Sequence, residues 1–150
     1  MTDIARRQPT PWHLWLVGVL SLLWNGFGGY DFIQTTTRGE TYMRESGFGD
    51  EMIAYFNAMP TWMYVPWTLG VWGGVIGSLL LLARSRWAVH AFALSLLGAV
   101  VSLVYSKLIS PPPALPPEMA MMEWMPYVIT AIAAFLLWYA WAMAKKAVLR

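Results

Sequence analysis

The sequence predicts an all-α fold, a transmembrane antiparallel four-helix bundle with a short amphipathic helix in its first outer loop. Three observations carry this. Residues 12–35, 62–83, 87–109 and 119–144 are apolar stretches with few interior charges. Each is near the roughly 20 residues that a helix rising about 1.5 Å per residue needs to cross a hydrocarbon core of about 30 Å. The chain of 150 residues is 58% hydrophobic and 12% charged, with a mean hydropathy of +0.49, which argues against a water-soluble domain. Trp12, Trp15, Trp62, Trp67, Trp87 and Trp124 stand at the ends of the stretches, where an amphipathic ring sits among headgroups. Residues 1–150 therefore read as a single four-helix transmembrane domain whose first partner is the lipid bilayer.

The first stretch follows Arg6 and Arg7, as a secretory signal would. It is long, however, and no A-x-A-like cleavage site follows it, so it is expected to remain as a span. Gly18, Ser21, Asn25 and Gly28 recur along it at heptad-like spacing and offer a small-residue face. Asn25 is the deepest strongly polar side chain, and because lipid offers it no partner it must point inward. Two roles fit: an interhelical hydrogen bond to Ser102 or a backbone carbonyl, or a place on a substrate or proton path. Tyr30, Asp31 and Gln34 form the most polar end of any span, and Lys107 in the third span reaches a similar depth. An Asp31 to Lys107 pair follows if spans one and three touch; otherwise Lys107 snorkels to the interface or belongs to a functional ionisable site.

The first outer loop, 36–61, holds a helical pattern in which Met52, Tyr55, Phe56 and Met59 recur at i, i+3, i+4 and i+7 and Asp50 stands as its cap. Such a helix lies on the outer membrane face, either as a lid over the bundle or with its apolar side resting on lipid. The second span carries Gly70, Gly73, Gly74 and Gly77. It is joined to the third by Arg84, Ser85 and Arg86 alone, which forces an antiparallel hairpin. The third span offers Ala91, Ser95, Gly98 and Ser102. Small faces on three helices predict tight packing with little internal space, which disfavours a broad channel and leaves self-association through a spare Gly face open. Between spans three and four, Pro111, Pro112, Pro113, Pro116 and Pro117 fix φ and remove donors, predicting a stiff polyproline II spacer that could also serve as a docking ledge.

Arg6, Arg7, Arg84, Arg86, Lys145, Lys146 and Arg150 fall on one side of the spans, and Arg38, Arg44 and Lys107 on the other. The excess of Lys and Arg orients both termini to the cytoplasm. Of the acids only Asp3 shares the basic side. The net charge of +2 therefore reflects topology, and no basic groove with interleaved aromatics suggests nucleic acid. With no Cys, disulfides and thiolate metal sites are excluded.

Few residues could carry chemistry. His13 and His90 could hold a haem or metal between two helices, but they lie beside anchoring Trp residues and read as interfacial polar groups. Met43, Met52, Met59, Met63, Met119, Met121, Met122 and Met125 all fall on the outer side. Thioethers bind Cu(I), and the group from Met119 to Met125 is close enough in sequence to chelate it; methionine is also a flexible filler where an interfacial helix packs. Paired carboxylates and a nucleophile beside a base are missing, so no enzyme activity and no cofactor is expected.

Pro11-Trp12-His13-Leu14-Trp15, Leu22-Leu23-Trp24-Asn25, Tyr30-Asp31-Phe32, the run from Gly70 to Ser78 and the turn from Arg84 to Val89 together resemble a group of small proteobacterial inner-membrane proteins with four spans. Members are sometimes labelled sugar transporters. The resemblance covers most of the chain and implies topology and location; no site residues come with it. The sequence as a whole reads as a non-enzymatic membrane component, an accessory subunit or a self-associating bundle that forms a homo-oligomer or joins a larger membrane complex. The alternatives are a small oligomeric solute transporter working through Asn25, Tyr30, Asp31 and Gln34, and an outer-side Cu(I) binder.

Overall fold

A helix in hydrocarbon must satisfy every backbone group internally, and the long apolar stretches do so. The computed structural model describes residues 9–150; Asp3, Arg6 and Arg7, which enter the orientation argument, lie outside the described residues. Six α-helices follow one another: α1 (Trp12–Arg38), α2 (Glu40–Glu45), α3 (Asp50–Asn57), α4 (Tyr64–Leu82), α5 (Trp87–Val104) and α6 (Met125–Lys145). A 3₁₀ turn at Thr61–Met63 leads into α4, a π turn at Tyr105–Ile109 ends α5, and a 3₁₀ helix at Pro117–Trp124 leads into α6. With these extensions, four helices are long and apolar enough to cross a membrane, which makes the chain a multi-pass integral membrane protein.

The first span outruns its apolar stretch. Thr36 and Thr37 donate back to the carbonyls of Phe32 and Ile33 at 2.8 and 2.6 Å, so their hydroxyls are satisfied within the helix, which continues to Arg38. The loop beyond it holds two helices where one is expected. Asp50 does not cap α3: Gly49 occupies the cap, and the Asp50 carboxylate instead accepts from Arg44 Nη1 at 2.6 Å. Met59 falls outside α3, while Met52 and Ile53 are its buried residues. α2 ends in a Schellman turn, with Phe48 N donating to Met43 O and Gly47 N to Arg44 O. Gly47 sits there at φ +92°, a conformation that a side chain would disfavour.

Sequential spans pack antiparallel as a row, α1 on α4, α4 on α5 and α5 on α6, with the α4–α5 contact the most extensive. Along the α1–α4 and α4–α5 contacts the inward face is largely small and polar, and many large apolar residues point outward. Ser21, Gly74, Gly77, Ser78, Ser95 and Gly98 are buried, whereas Trp12, Leu16, Leu20, Leu23 and Phe27 form an exposed stripe on α1. Water would not tolerate that stripe; lipid solvates it, and close backbone approach then supplies the packing. A Cβ on Gly98 would lie 2.3 Å from Pro66 O, and one on Gly73 3.0 Å from Ala91 O, so the α4–α5 hairpin closes backbone on backbone. Gly77 fits against the Phe92 ring and Gly18 against Leu82. Gly28 does not take part in this packing: nothing lies within 4 Å of a Cβ there, and its neighbour Gly29 meets Trp72 and Val75 instead.

The apolar core gathers at the end carrying the Arg84–Ser85–Arg86 turn, here the turn end. Leu14, Leu81, Ala88, Phe92, Leu136, Tyr139, Ala140 and Met143 bring all four spans together there, joined by Val148 and Leu149 from the tail after α6. The turn is a hub. Arg84 Nη1 donates to Thr10 Oγ1 at 2.8 Å, Arg150 N donates to Arg84 O and Arg86 N to Arg150 O, both at 2.7 Å, and Arg86 Nε donates to Leu149 O at 3.2 Å. α4 and α6 both end in Schellman turns whose left-handed residue is not Gly, Arg84 and Ala147, each at φ 56°. The burial of Val148 beside Met143 and the bonds made by Arg84 offset that conformational cost.

Candidate functional site

Midway along the bundle, Asn25 of α1 meets α4. Its Nδ2 donates to Ser78 Oγ at 3.1 Å, and the Ser78 hydroxyl donates on to Gly74 O at 2.8 Å, a relay that ends on a helix carbonyl. The absence of a side chain at Gly74 makes the room, since a Cβ there would lie 2.3 Å from Asn25 Oδ1. The partner is thus Ser78 and not Ser102, because α1 packs on α4 while Ser102 lies half-buried on α5. Ser21 bonds within its own helix, to Gly18 O at 3.0 Å, and Ser95 bridges α5 to α4 by donating to Gly70 O at 2.6 Å.

The opposite, loop end carries the remaining polar residues, and they do not assemble around one point. Asp31 accepts from the Tyr42 hydroxyl at 2.8 Å, which ties α2 to the top of α1. Lys107 lies on the π turn with its Nζ 5.1 Å from the Tyr127 ring of α6, a cation–π contact, so the Asp31–Lys107 pair is not formed. The reason is rotational: the Gly98 face of α5 is taken by α4, and a residue about 100° to 180° around the helix meets α6 instead. Gln34 Oε1 is buried without a hydrogen-bond partner among the described residues, and Tyr30 is exposed beside Phe27.

α2 and α3 form the cap over this end. Arg38 Nη2 donates to both Glu45 oxygens at 2.7 and 2.8 Å, and Asn57 Nδ2 donates to Glu40 Oε1 at 2.8 Å. Such exposed pairs each contribute about 1 kcal/mol or less. The apolar underside does more, burying Met43, Met52, Ile53 and Met63, while the Tyr55 hydroxyl donates to Ser110 O at 2.7 Å and joins the cap to the end of the third span. These methionines are packing residues, which separates them from the group from Met119 to Met125. In that group Met121 is 86% exposed, Met122 and Met125 are 38% and 39% exposed, and Met119 is half-buried against Gly47.

At the turn end, His13 Nδ1 and the Tyr139 hydroxyl share a hydrogen bond between α1 and α6. A cleft of 360 Å³ lies beside them, lined by Pro9, Pro11, His13, Met143, Lys146 and Val148. His90 is exposed on α5 with its ring 5.0 Å from that of Trp87, so the two histidines have separate neighbours. Among the described residues no group of three or more His, Asp or Glu side chains is placed to hold a metal ion.

Two of these features escape a reading of periodicity: the Asn25–Ser78–Gly74 relay, whose partner depends on helix rotation, and the tail on the turn, whose docking residues are too few to form a pattern. No family model, curated protein or solved structure matches the chain, and its chemistry is read from this geometry alone.

Proposed function

We propose that this chain is a non-enzymatic component of a bacterial inner membrane, with both termini cytoplasmic, that associates with a second copy of itself through α1. One observation carries the reading. The small residues of α4 and α5 are consumed inside the bundle, whereas nothing lies within 4 Å of a Cβ on Gly26 of α1. Val19 and Ile33 stand seven residues to either side of Gly26, both exposed, so the three share one outward seam with a dent at its centre. In lipid, where apolar surface alone does not drive association, a dent that lets backbones approach is a main source of helix pairing. The reading keeps the chain with the four-span proteobacterial proteins it resembles.

Native mass spectrometry of the protein in mild detergent tests it. A dimer that falls to monomer in Gly26→Leu supports the seam. Gly28, about 200° around α1 from Gly26, is equally open, and Gly28→Leu is expected to leave the dimer intact. A monomer at every concentration, or a foreign subunit at fixed stoichiometry, would overturn self-association. Solute transport has less support, because Asn25 is committed to Ser78, Asp31 to Tyr42, and Lys107 sits on the far side against α6.

A further inference from the structure

The two ends of the bundle treat charge differently. Among the described residues the ion pairs Arg38–Glu45, Arg44–Glu40 and Arg44–Asp50 all lie at the loop end. The described turn end carries Arg84, Arg86, Lys145, Lys146 and Arg150 and no Asp or Glu side chain, so its counter-anion has to come from outside the chain. Several of these cations are engaged: Arg84 donates to Thr10 Oγ1, Arg86 to Leu149 O, and the Lys145 ammonium stands 3.9 Å from the centre of the Trp141 ring. Lys146, exposed at the C-cap of α6, has no such partner among the described residues. It lines the 360 Å³ cleft together with His13.

This cleft has two kinds of wall. Buried Met143 and Val148, with Pro9 and Pro11, are apolar; Lys146 brings a positive charge and His13 an imidazole. The Tyr139 hydroxyl holds that imidazole at Nδ1, which leaves Nε2 for a ligand. Aromatic rings mark the depth. Exposed Trp12 stands beside His13 with ring centroids 6.1 Å apart, and exposed Trp141 lies one turn before Lys145, the level at which such rings meet headgroups. We infer that the cleft holds the headgroup of an anionic phospholipid, its phosphate on Lys146 and His13 and its glycerol against Met143 and Val148. Basic pockets between spans at the water boundary suit this chemistry, and the volume fits a headgroup whose chains stay in the bilayer. A free phosphate would meet the same donors but leave the apolar walls facing water, which favours the lipid. Bound there, the lipid ties the start of α1 to the end of α6, the two outer helices of the row.

Native mass spectrometry and thermal unfolding of the full-length protein in neutral detergent test the site, with phosphatidylglycerol, phosphatidylcholine or inorganic phosphate added. One phosphatidylglycerol per chain should be retained and should raise the unfolding midpoint, because a ligand of the folded state stabilises it. Phosphatidylcholine, whose own ammonium cancels its phosphate, should do neither. Lys146→Gln should weaken retention roughly fivefold, the scale of one lysine near an anionic surface. His13→Phe should weaken it too, with circular dichroism reporting that the helices remain. Lys145→Gln removes the same charge one residue away and should leave retention unchanged. Equal retention of both lipids would overturn the site, as would a Lys145→Gln loss as large as that of Lys146→Gln. A midpoint shift from inorganic phosphate equal to that from phosphatidylglycerol would put a free anion in place of the lipid and overturn it as well. None of these results touches the α1 seam, whose variants read oligomeric state.

Discussion

At Tyr42 one hydrogen bond fastens α2 to the top of α1, and its donor can be titrated. The phenol is held above its ordinary 10.0, first by donating to Asp31, then by burial, then by the negative charge of the same carboxylate. A folded-state value above the unfolded one means that the contact contributes stability in full below about pH 10 and loses it as pH rises through the raised value. Alkaline titration followed by phenolate absorbance should therefore show one tyrosine that ionises at lower pH in Asp31→Asn and disappears in Tyr42→Phe. An unchanged curve in Asp31→Asn would show that the carboxylate does not hold the phenol. Asp31 was legible in the sequence as a polar residue at a span end. Its partner was not, because α2 spans six residues and leaves no periodic signature. Asn25 was legible as inward-pointing, since hydrocarbon offers no alternative, while the choice of Ser78 depended on which neighbour α1 takes.

Among the helices, glycine marks where backbones touch, and the contacts rank the positions. Gly98→Ala would drive a Cβ onto the Pro66 carbonyl at 2.3 Å and the Gly70 nitrogen at 2.5 Å, neither of which can yield without parting α4 from α5. Thermal unfolding in micelles should report a loss of about 1–3 kcal/mol for this overpacking. Gly28→Ala, off the seam, meets nothing and should be neutral or stabilising by up to roughly 1 kcal/mol through helix propensity. Equal effects at the two sites would refute the backbone-on-backbone account of the hairpin. The hairpin itself was readable from a three-residue connection and a row of glycines. The 3₁₀ winding before α6 was not, since the same methionines suit an α-helix and only the proline pair upstream shifts the balance.

For the molecule as a whole, the described turn end carries Arg84, Arg86, Lys145, Lys146 and Arg150, and the loop end carries Arg38, Arg44 and Lys107. A periplasm-active reporter fused within the loop between α2 and α3 should be active, and a cytoplasm-active one joined after Arg150 should be too. The first reporter inactive in the loop and active after Arg150 would reverse the orientation, and its activity at both places would overturn the four-span topology. Four spans were legible because the bilayer sets their length. The order of helices in the row was legible only for α4 and α5, since the longer loops permit several arrangements.

The joint at Arg84–Ser85–Arg86 receives Thr10 from before α1 and Arg150 from beyond α6. During synthesis the turn emerges before the tail that follows α6, so a nascent chain with three spans inserted displays the Arg84 carbonyl and the Arg86 N–H to water. Completion of the fourth span extinguishes that display. The joint thus couples closure of the turn to insertion of the fourth span.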